Sequence, residues 1–254
     1  MVTSNLVGGL GNYLFQIAAA YSLSLDNGTK SLFDSGNSIT VHKHIDSYKN
    51  NILRNLNYGK HNFNKVFNEP YFHYNEIPYT PNLKLNGYYQ SEKYFKHNRD
   101  KILELFSIDG DTNKFIHNKY NNILSKKTCS LHVRRGDYLK LPNHHPVCEL
   151  NYYLEAIKNF DVDTKFLIFS DDLTWCKQNF IGDKFIFIED NPDYIDIWLM
   201  SLCDNNIIAN SSFSWWGAWL NKNKNKKIIT PNKWFGSAIR HNTKDLIPDT
   251  WIRI

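Results

Sequence analysis

From residue 114 onward the chain alternates short apolar runs with helical patterns, and few folds accept that alternation. The spacing predicts a helix over 114–124, a strand CSLHVRR (129–135) and a polar loop with two prolines (136–148). It then predicts helix 150–159, strand KFLIFS (165–170), helix 172–180 and strand KFIFIE (184–189). Helix 193–203, strand NIIA (206–209), helix 212–221 and strand KIIT (227–230) complete the series. Strands and helices in strict succession, joined by short connections, require a parallel sheet with helices on both faces. The fold class is therefore α/β.

The first half reads less regularly. Residues 2–7 form a strand, GGLG (8–11) a turn, and 12–25 a helix with Leu14, Ile17, Ala18 and Tyr21 on one face. Residues 30–34 are compatible with a second strand, LKLNGYY (83–89) with another, and 92–106 with a helix. The Asn-, Tyr- and His-rich stretch 35–83 has too little periodicity to assign. IDGDTN (108–113) is turn chemistry, which puts a domain boundary between 108 and 128.

Composition excludes several function classes. With 254 residues, 42% hydrophobic, the chain has enough material for one or two packed cores. A net charge of +5 is too small to demand a nucleic-acid partner. No run of about 18 apolar residues suggests a membrane span, and the start MVTSNLVGGLGNYLFQ lacks a basic n-region, so a soluble cytoplasmic protein is expected. The cysteines, Cys129, Cys148, Cys176 and Cys203, form no CxxC pair. Cys129 and Cys203 adjoin apolar runs and read as buried thiols rather than disulfides. The N-x-[ST] triplets at Asn27 and Asn210 read as chance matches, and NKNKNKK (221–227) as a surface tract.

Three segments carry chemistry, and two others only resemble metal sites. VGGLGNYLFQ (7–16) is a strand, a glycine turn and a helix start, where backbone amides can approach an anion or simply close a tight turn. LHVRRGDY (131–138) ends an apolar strand with two arginines and an aspartate, at the sheet edge where ligands bind. Side chains alternate along a strand, so one arginine is expected to face a ligand and the other to pair with a carboxylate. NPDYIDIWLMSLCDNNIIANSSFSWWGAWL (191–220) places Asp196 and Asp204 about two helical turns apart. In it Ser211 or Ser212 is a natural N-cap, and the amides of the turn it opens make a phosphate seat. Trp215, Trp216 and Trp219 read as core rather than as a stacking platform. NHHPVC (143–148) lacks the ligand spacing of a structural zinc site and reads as a solvated loop. DGD (109–111) resembles a metal-binding DxD but reads as a turn.

Taken together, GGLGNYLFQIA (8–18), GYYQSEKYF (87–95), HVRRGDY (132–138), FSDD (169–172), DIWLMSLCDNNIIANSSFSWWGAWLN (196–221) and TPNKWF (230–235) resemble glycosyltransferase family 11, the α-1,2-fucosyltransferases. More distantly they resemble the α-1,6- and protein O-fucosyltransferases. The resemblance implies a GT-B-like fold of two Rossmann-like lobes with a donor cleft between them. Residues 1–125 would form the acceptor-side lobe and 126–254 the GDP-sugar-binding lobe. It implies an inverting transfer from GDP-β-L-fucose to a glycan acceptor, without an obligatory metal or other cofactor. It assigns Arg134 to the donor β-phosphate, His132 and Asp196 to guanine, Ser212 and Phe213 to the phosphate-binding helix start with Ser211 beside them, and Asn12 to the reacting sugar. The family usually has Gln after that Asn, where this chain has Tyr13, which bears on the acceptor side. The chain resembles the microbial or viral soluble members.

The expected function is thus a cytoplasmic fucosyltransferase acting on the 2-hydroxyl of a galactose-like residue. Asp137 is the candidate general base and, equally, a candidate partner for an arginine. The rival expectations are a GDP-sugar transferase with another sugar or acceptor, and a catalytically silent glycan- or nucleotide-binding protein.

Overall fold

The computed structural model describes residues 1–34 and 43–254, and the chain divides into two compact units. Positions 35–42 of the unassigned stretch 35–83 lie outside the described residues. One unit comprises Met1–Asp109 and His241–Pro248, the other Gly110–Arg240 and Asp249–Ile254.

The first unit is built on a three-stranded parallel sheet, β1 (Val2–Ser4), β2 (Lys65–Asn68) and β3 (Leu83–Asn86), in the order β1-β3-β2. Val2 pairs with Leu83, and Lys65 joins from the other side. Helix α1 (Leu10–Asp26) follows the glycine turn. Instead of showing a single apolar face it is buried on nearly every side, from Leu10 and Tyr13 through Ala20 to Ser24, with Tyr21 only half-buried. A run such as FQIAAA is apolar all round, and such a helix sits inside a core.

Several expectations for this unit are corrected. Residues 30–34 contribute only single bridges, Val2 to Ser31 and Phe33 to Tyr58. β3 stops at Asn86, because Tyr89 adopts φ +52°, outside the extended region. The helix expected over 92–106 is two 3₁₀ turns, Glu92–Tyr94 and Lys96–Asn98, followed by α2 (Arg99–Leu105). The break falls at Phe95, whose φ of −147° is not helical. β2 has no counterpart in the sequence reading, since its KVFN segment is largely exposed.

The second unit holds a six-stranded parallel sheet in the order β6-β5-β4-β7-β8-β9. The strands are β4 (Thr128–Val133), β5 (Lys165–Ser170), β6 (Phe185–Phe187), β7 (Asn205–Ile207), β8 (Ile228–Thr230) and β9 (Ile252–Arg253). The helices are α3 (Gly110–Leu124), α4 (Leu150–Ile157), α5 (Leu173–Asn179), α6 (Asp193–Leu202) and α7 (Ser212–Leu220). α3 begins at Gly110, so DGD is a helix start, and the exposed Asp111 lies 3.9 Å from Lys114.

The core of this unit follows from β4, all six of whose residues are buried. Cys129, Leu131 and Val133 pack with Ile168, Tyr153, Phe180 and Ile207. α7 is close-packed on α6: a Cβ on Gly217 would come within 2.7 Å of Met200 Cβ. Trp215, Trp216 and Trp219 are buried, as expected of core residues. All four cysteines are buried free thiols. Among the described residues no helix is long and apolar enough to cross a membrane.

Candidate functional site

The strand order fixes where the second unit can hold a ligand. From β4 the chain steps outward through β5 to β6, then returns to the other side of β4 for β7 and β8. Connections leaving β4 and β7 run to opposite sides, and in an open parallel sheet the carboxyl ends of strands at such a switch point are where a ligand crevice is expected. Residues 132–138 leave β4 at this point, and residues 208–214 leave β7 and open α7.

Contacts span the switch point. His132, buried at the end of β4, shares a 2.9 Å hydrogen bond between its Nδ1 and Ser214 Oγ, and its ring centroid lies 5.6 Å from that of Phe213. Burial, aided by the charge on Arg134, pulls the imidazole pKa down to about 3, so the ring is neutral. Ser211 is the N-cap of α7, accepting from Phe213 N–H at 3.3 Å, and Ser212 is the first helical residue. The first turn of a nine-residue helix thus opens beside His132, with its dipole positive toward the crevice.

β4 ends at Val133, before the arginines, so strand alternation does not sort them. Both pair with carboxylates. Arg134 Nη2 donates to Asp137 Oδ1 at 2.7 Å, and Nη1 lies 3.1 Å from Asp171 Oδ2. Arg135 Nε donates to Asp172 Oδ2 at 3.0 Å, and its guanidinium lies 4.2 Å from the Trp175 ring centroid. Arg135 is the more enclosed of the two, at 17% side-chain exposure against 29% for Arg134. Asp172 also caps α5, and its carboxyl pKa is lowered first by the Trp175 amide and then by Arg135.

Asp171 organises the arginine loop, a role that sequence reasoning missed. Its Oδ1 accepts from the Arg135 amide at 2.9 Å while its other oxygen meets Arg134. A Cβ on Gly136 would sit 2.5 Å from that oxygen, so a larger residue there would push the Asp171 carboxylate off its present contacts. The available signal was FSDD, a pair of carboxylates ending the strand next to β4. Asn210 was missed for its packing. It is buried, its Nδ2 donates to the Pro146 and Trp234 carbonyls, and its own carbonyl accepts from Tyr138 Oη. Burial removes this position as a glycosylation acceptor.

Two further expected residues, Asp196 and Asn12, make contacts of their own. Asp196 is in the first turn of α6, the helix that leads from β6 back to β7 and packs on α7, and it accepts from Asn191 Nδ2 at 3.0 Å. Asn191 Oδ1 in turn accepts from Tyr120 Oη and Lys119 Nζ. Asn12 belongs to the first unit, in the opening turn of α1, where its Oδ1 accepts from Gln90 Nε2 at 2.8 Å. Gln16 closes the same loop, bonding both the amide and the carbonyl of Val7. Tyr13 is fully buried, edge-on to Tyr48. In NHHPVC, His145 stacks on Tyr138 while Cys148 Sγ–H faces Asn210 Oδ1, so these side chains serve separate contacts.

A model of glycosyl transferase family 11 matches residues 1–254. The O-antigen biosynthesis glycosyltransferase WbnK of Escherichia coli is 33% identical, over 99% of both chains. An alpha-1,2-colitosyltransferase of Escherichia coli is 32% identical, over 100% of this chain and 99% of its own. A galactoside alpha-(1,2)-fucosyltransferase 2 of Oryctolagus cuniculus is 24% identical, over 87% of this chain and 67% of its own. Among solved structures, fucosyltransferase NodZ from Bradyrhizobium superposes with a TM-score of 0.58 at 14% identity, over 85% of this chain and 91% of that one. That likeness gives the fold, the α/β arrangement of the GT-B-type fucosyltransferases.

Proposed function

The chain belongs to glycosyltransferase family 11 and is a glycosyltransferase, and from that premise we propose that it moves L-fucose from GDP-β-L-fucose to a glycan hydroxyl. The acceptor group in this reading is the 2-hydroxyl of a galactose-like residue, and the product is α-linked. The observation that carries the donor side is the meeting of His132, Ser214 and Phe213 across the β4/β7 switch point, with Arg134 two residues beyond His132.

The chemistry follows from where charge builds up. The acceptor oxygen bonds to the anomeric carbon as the bond to the β-phosphate breaks, and the electron pair leaves with GDP. Arg134 and the α7 N-terminus at Ser211–Phe213 stabilise that developing charge in the transition state. They supply the positive charge that a divalent ion would otherwise bring, so the reaction is metal-independent. His132 stays neutral and lines the site without altering its charge. Asp196 takes the guanine N1–H and N2–H donors. Asp137, paired with Arg134, is the candidate base, and a displacement in which the leaving group departs early asks little of it. Four free thiols fit a reducing compartment, in support of a cytoplasmic enzyme.

A colitosyl donor is the second reading, favoured by the colitosyltransferase relative. An acceptor array probed in excess EDTA with labelled GDP-fucose, and in parallel with GDP-colitose, tests both. Label transferred from GDP-fucose to galactose-terminated acceptors supports the reading. Transfer from GDP-colitose alone replaces the donor, and transfer that EDTA abolishes and Mn²⁺ restores refutes metal independence.

A further inference from the structure

The first unit holds a carboxylate that the chemistry above does not use. Glu69 follows β2 directly, at the carboxyl edge of the sheet, and is half-buried. Its Oε2 accepts from the Tyr88 amide at 2.7 Å and its Oε1 from the Tyr89 amide at 3.0 Å. The carboxylate fills the space beside Gly87, where a Cβ would collide with it. Tyr89 is held at φ +52°, a region that a non-glycine residue enters only when its surroundings force it. Its phenol is tied in turn to the Phe67 carbonyl at 3.1 Å. Glu69 thus clamps a strained turn at two consecutive amides.

That turn delivers Gln90, which is buried and donates to Asn12 Oδ1. Asn12 is confined from the other side as well. Gly8 has φ +92°, and a Cβ there would run into the Asn12 side chain. A continuous chain of hydrogen bonds and one covalent step therefore runs from the Glu69 carboxylate through residues 88–90 to the Asn12 amide.

We propose that Glu69 is a positioning residue for glycosyl transfer: it locks the 87–90 turn, the turn holds Gln90, and Gln90 fixes Asn12. The inference rests on the reading of Asn12 as the residue facing the reacting sugar. It also gives the site a pH dependence. Burial pushes the Glu69 carboxyl up to about 7, and the Tyr88 and Tyr89 amides only partly oppose this. The phenols that face it, Tyr89 and Tyr94, are both raised by burial and stay neutral. Beyond Tyr94 lie Tyr74 and the Lys93–Asp245 ion pair. When ionised, Glu69 accepts at both oxygens. Protonation makes one oxygen a donor facing an N–H, so one clamp is lost. Activity should therefore rise with pH through about 7.

The test compares the wild type with Glu69→Gln and Glu69→Asp. The first readout is the NMR titration, between about pH 5.5 and 8.5, of the Tyr88 and Tyr89 amides and the Gln90 side-chain amide. In the wild type all three should move together with a midpoint near 7, and in Glu69→Gln they should be flat. The second readout is kcat. Glu69→Gln should lose on the order of tenfold at high pH, lose the acid limb, and keep its GDP affinity and melting temperature. Glu69→Asp should keep an acid limb at a lower rate. A Gln90 signal that ignores the titration, or a Glu69→Gln enzyme with the wild-type rate and acid limb, overturns the proposal. If the wild type transfers from neither GDP-sugar, the reading of function fails, while the NMR titration still reports on the clamp.

Discussion

Replacing Arg134 by lysine keeps the charge at the end of β4 but removes the fork. The guanidinium spans two carboxylates, with Nη2 2.7 Å from Asp137 and Nη1 3.1 Å from Asp171. Among the described residues these use two of its five N–H donors, and the planar head can offer others to a phosphate at the same time. A lysine Nζ is a single point that cannot span both carboxylates and a phosphate. Two charge-assisted bonds lost in the transition state, at about 1.5 kcal/mol each, give ~3 kcal/mol, or roughly a 150-fold fall in kcat. The ion pairs themselves are partly exposed, so the fold should lose only about 1 kcal/mol or less. The assay is steady-state transfer from GDP-fucose, with thermal melts run in parallel. A variant with near wild-type kcat refutes the assignment of Arg134. A variant whose lost activity follows a collapse in melting temperature shows that the arginine is structural.

Two further outcomes are expected. Asp196→Ala should weaken GDP binding by roughly 1.5–3 kcal/mol, and because IDP lacks the 2-amino group, the variant should also lose the preference for GDP over IDP; calorimetry that finds the preference intact moves guanine recognition to Asp171 or Asp172. Because the folded-state pKa of His132 is held at about 3, below its unfolded value of about 6.5, the protein should lose stability as pH falls through that window, by about 3 kcal/mol at pH 4.5. Urea melts at two pH values should show that His132→Gln removes most of this loss, and equal losses in both proteins would contradict the neutral, buried imidazole.

What the sequence reveals and what it hides follow from the range of the interactions. KFLIFS is a buried run between turn signals, and β5 has those same bounds, 165–170. The N-cap at Ser211 is a local hydrogen bond, so local sequence suffices to place it. The expected lobe division at 125/126 sets 110–124 with the first lobe, whereas α3 lies in the second unit, beside α6. The partners of Asp171 are 36 and 37 residues back along the chain, at Arg135 and Arg134, and nothing in FSDD announces them. Glu69 sits in a stretch without periodicity, because β2 is a short exposed strand that alternates nothing into a core. Tyr13, the departure from the family pattern, is a packing residue against Tyr48.

The central claim is that the crevice between β4 and β7 binds a guanosine diphosphate sugar and stabilises the departing GDP. Nucleotide release without any acceptor tests it most directly, with GDP-fucose, GDP-colitose, GDP-mannose and UDP-galactose supplied separately. The expected result is slow release of GDP from GDP-fucose, a rate lowered by Arg134→Lys, and no release of UDP. Turnover of UDP-galactose, or release from GDP-fucose that Arg134→Lys leaves unchanged, would contradict it.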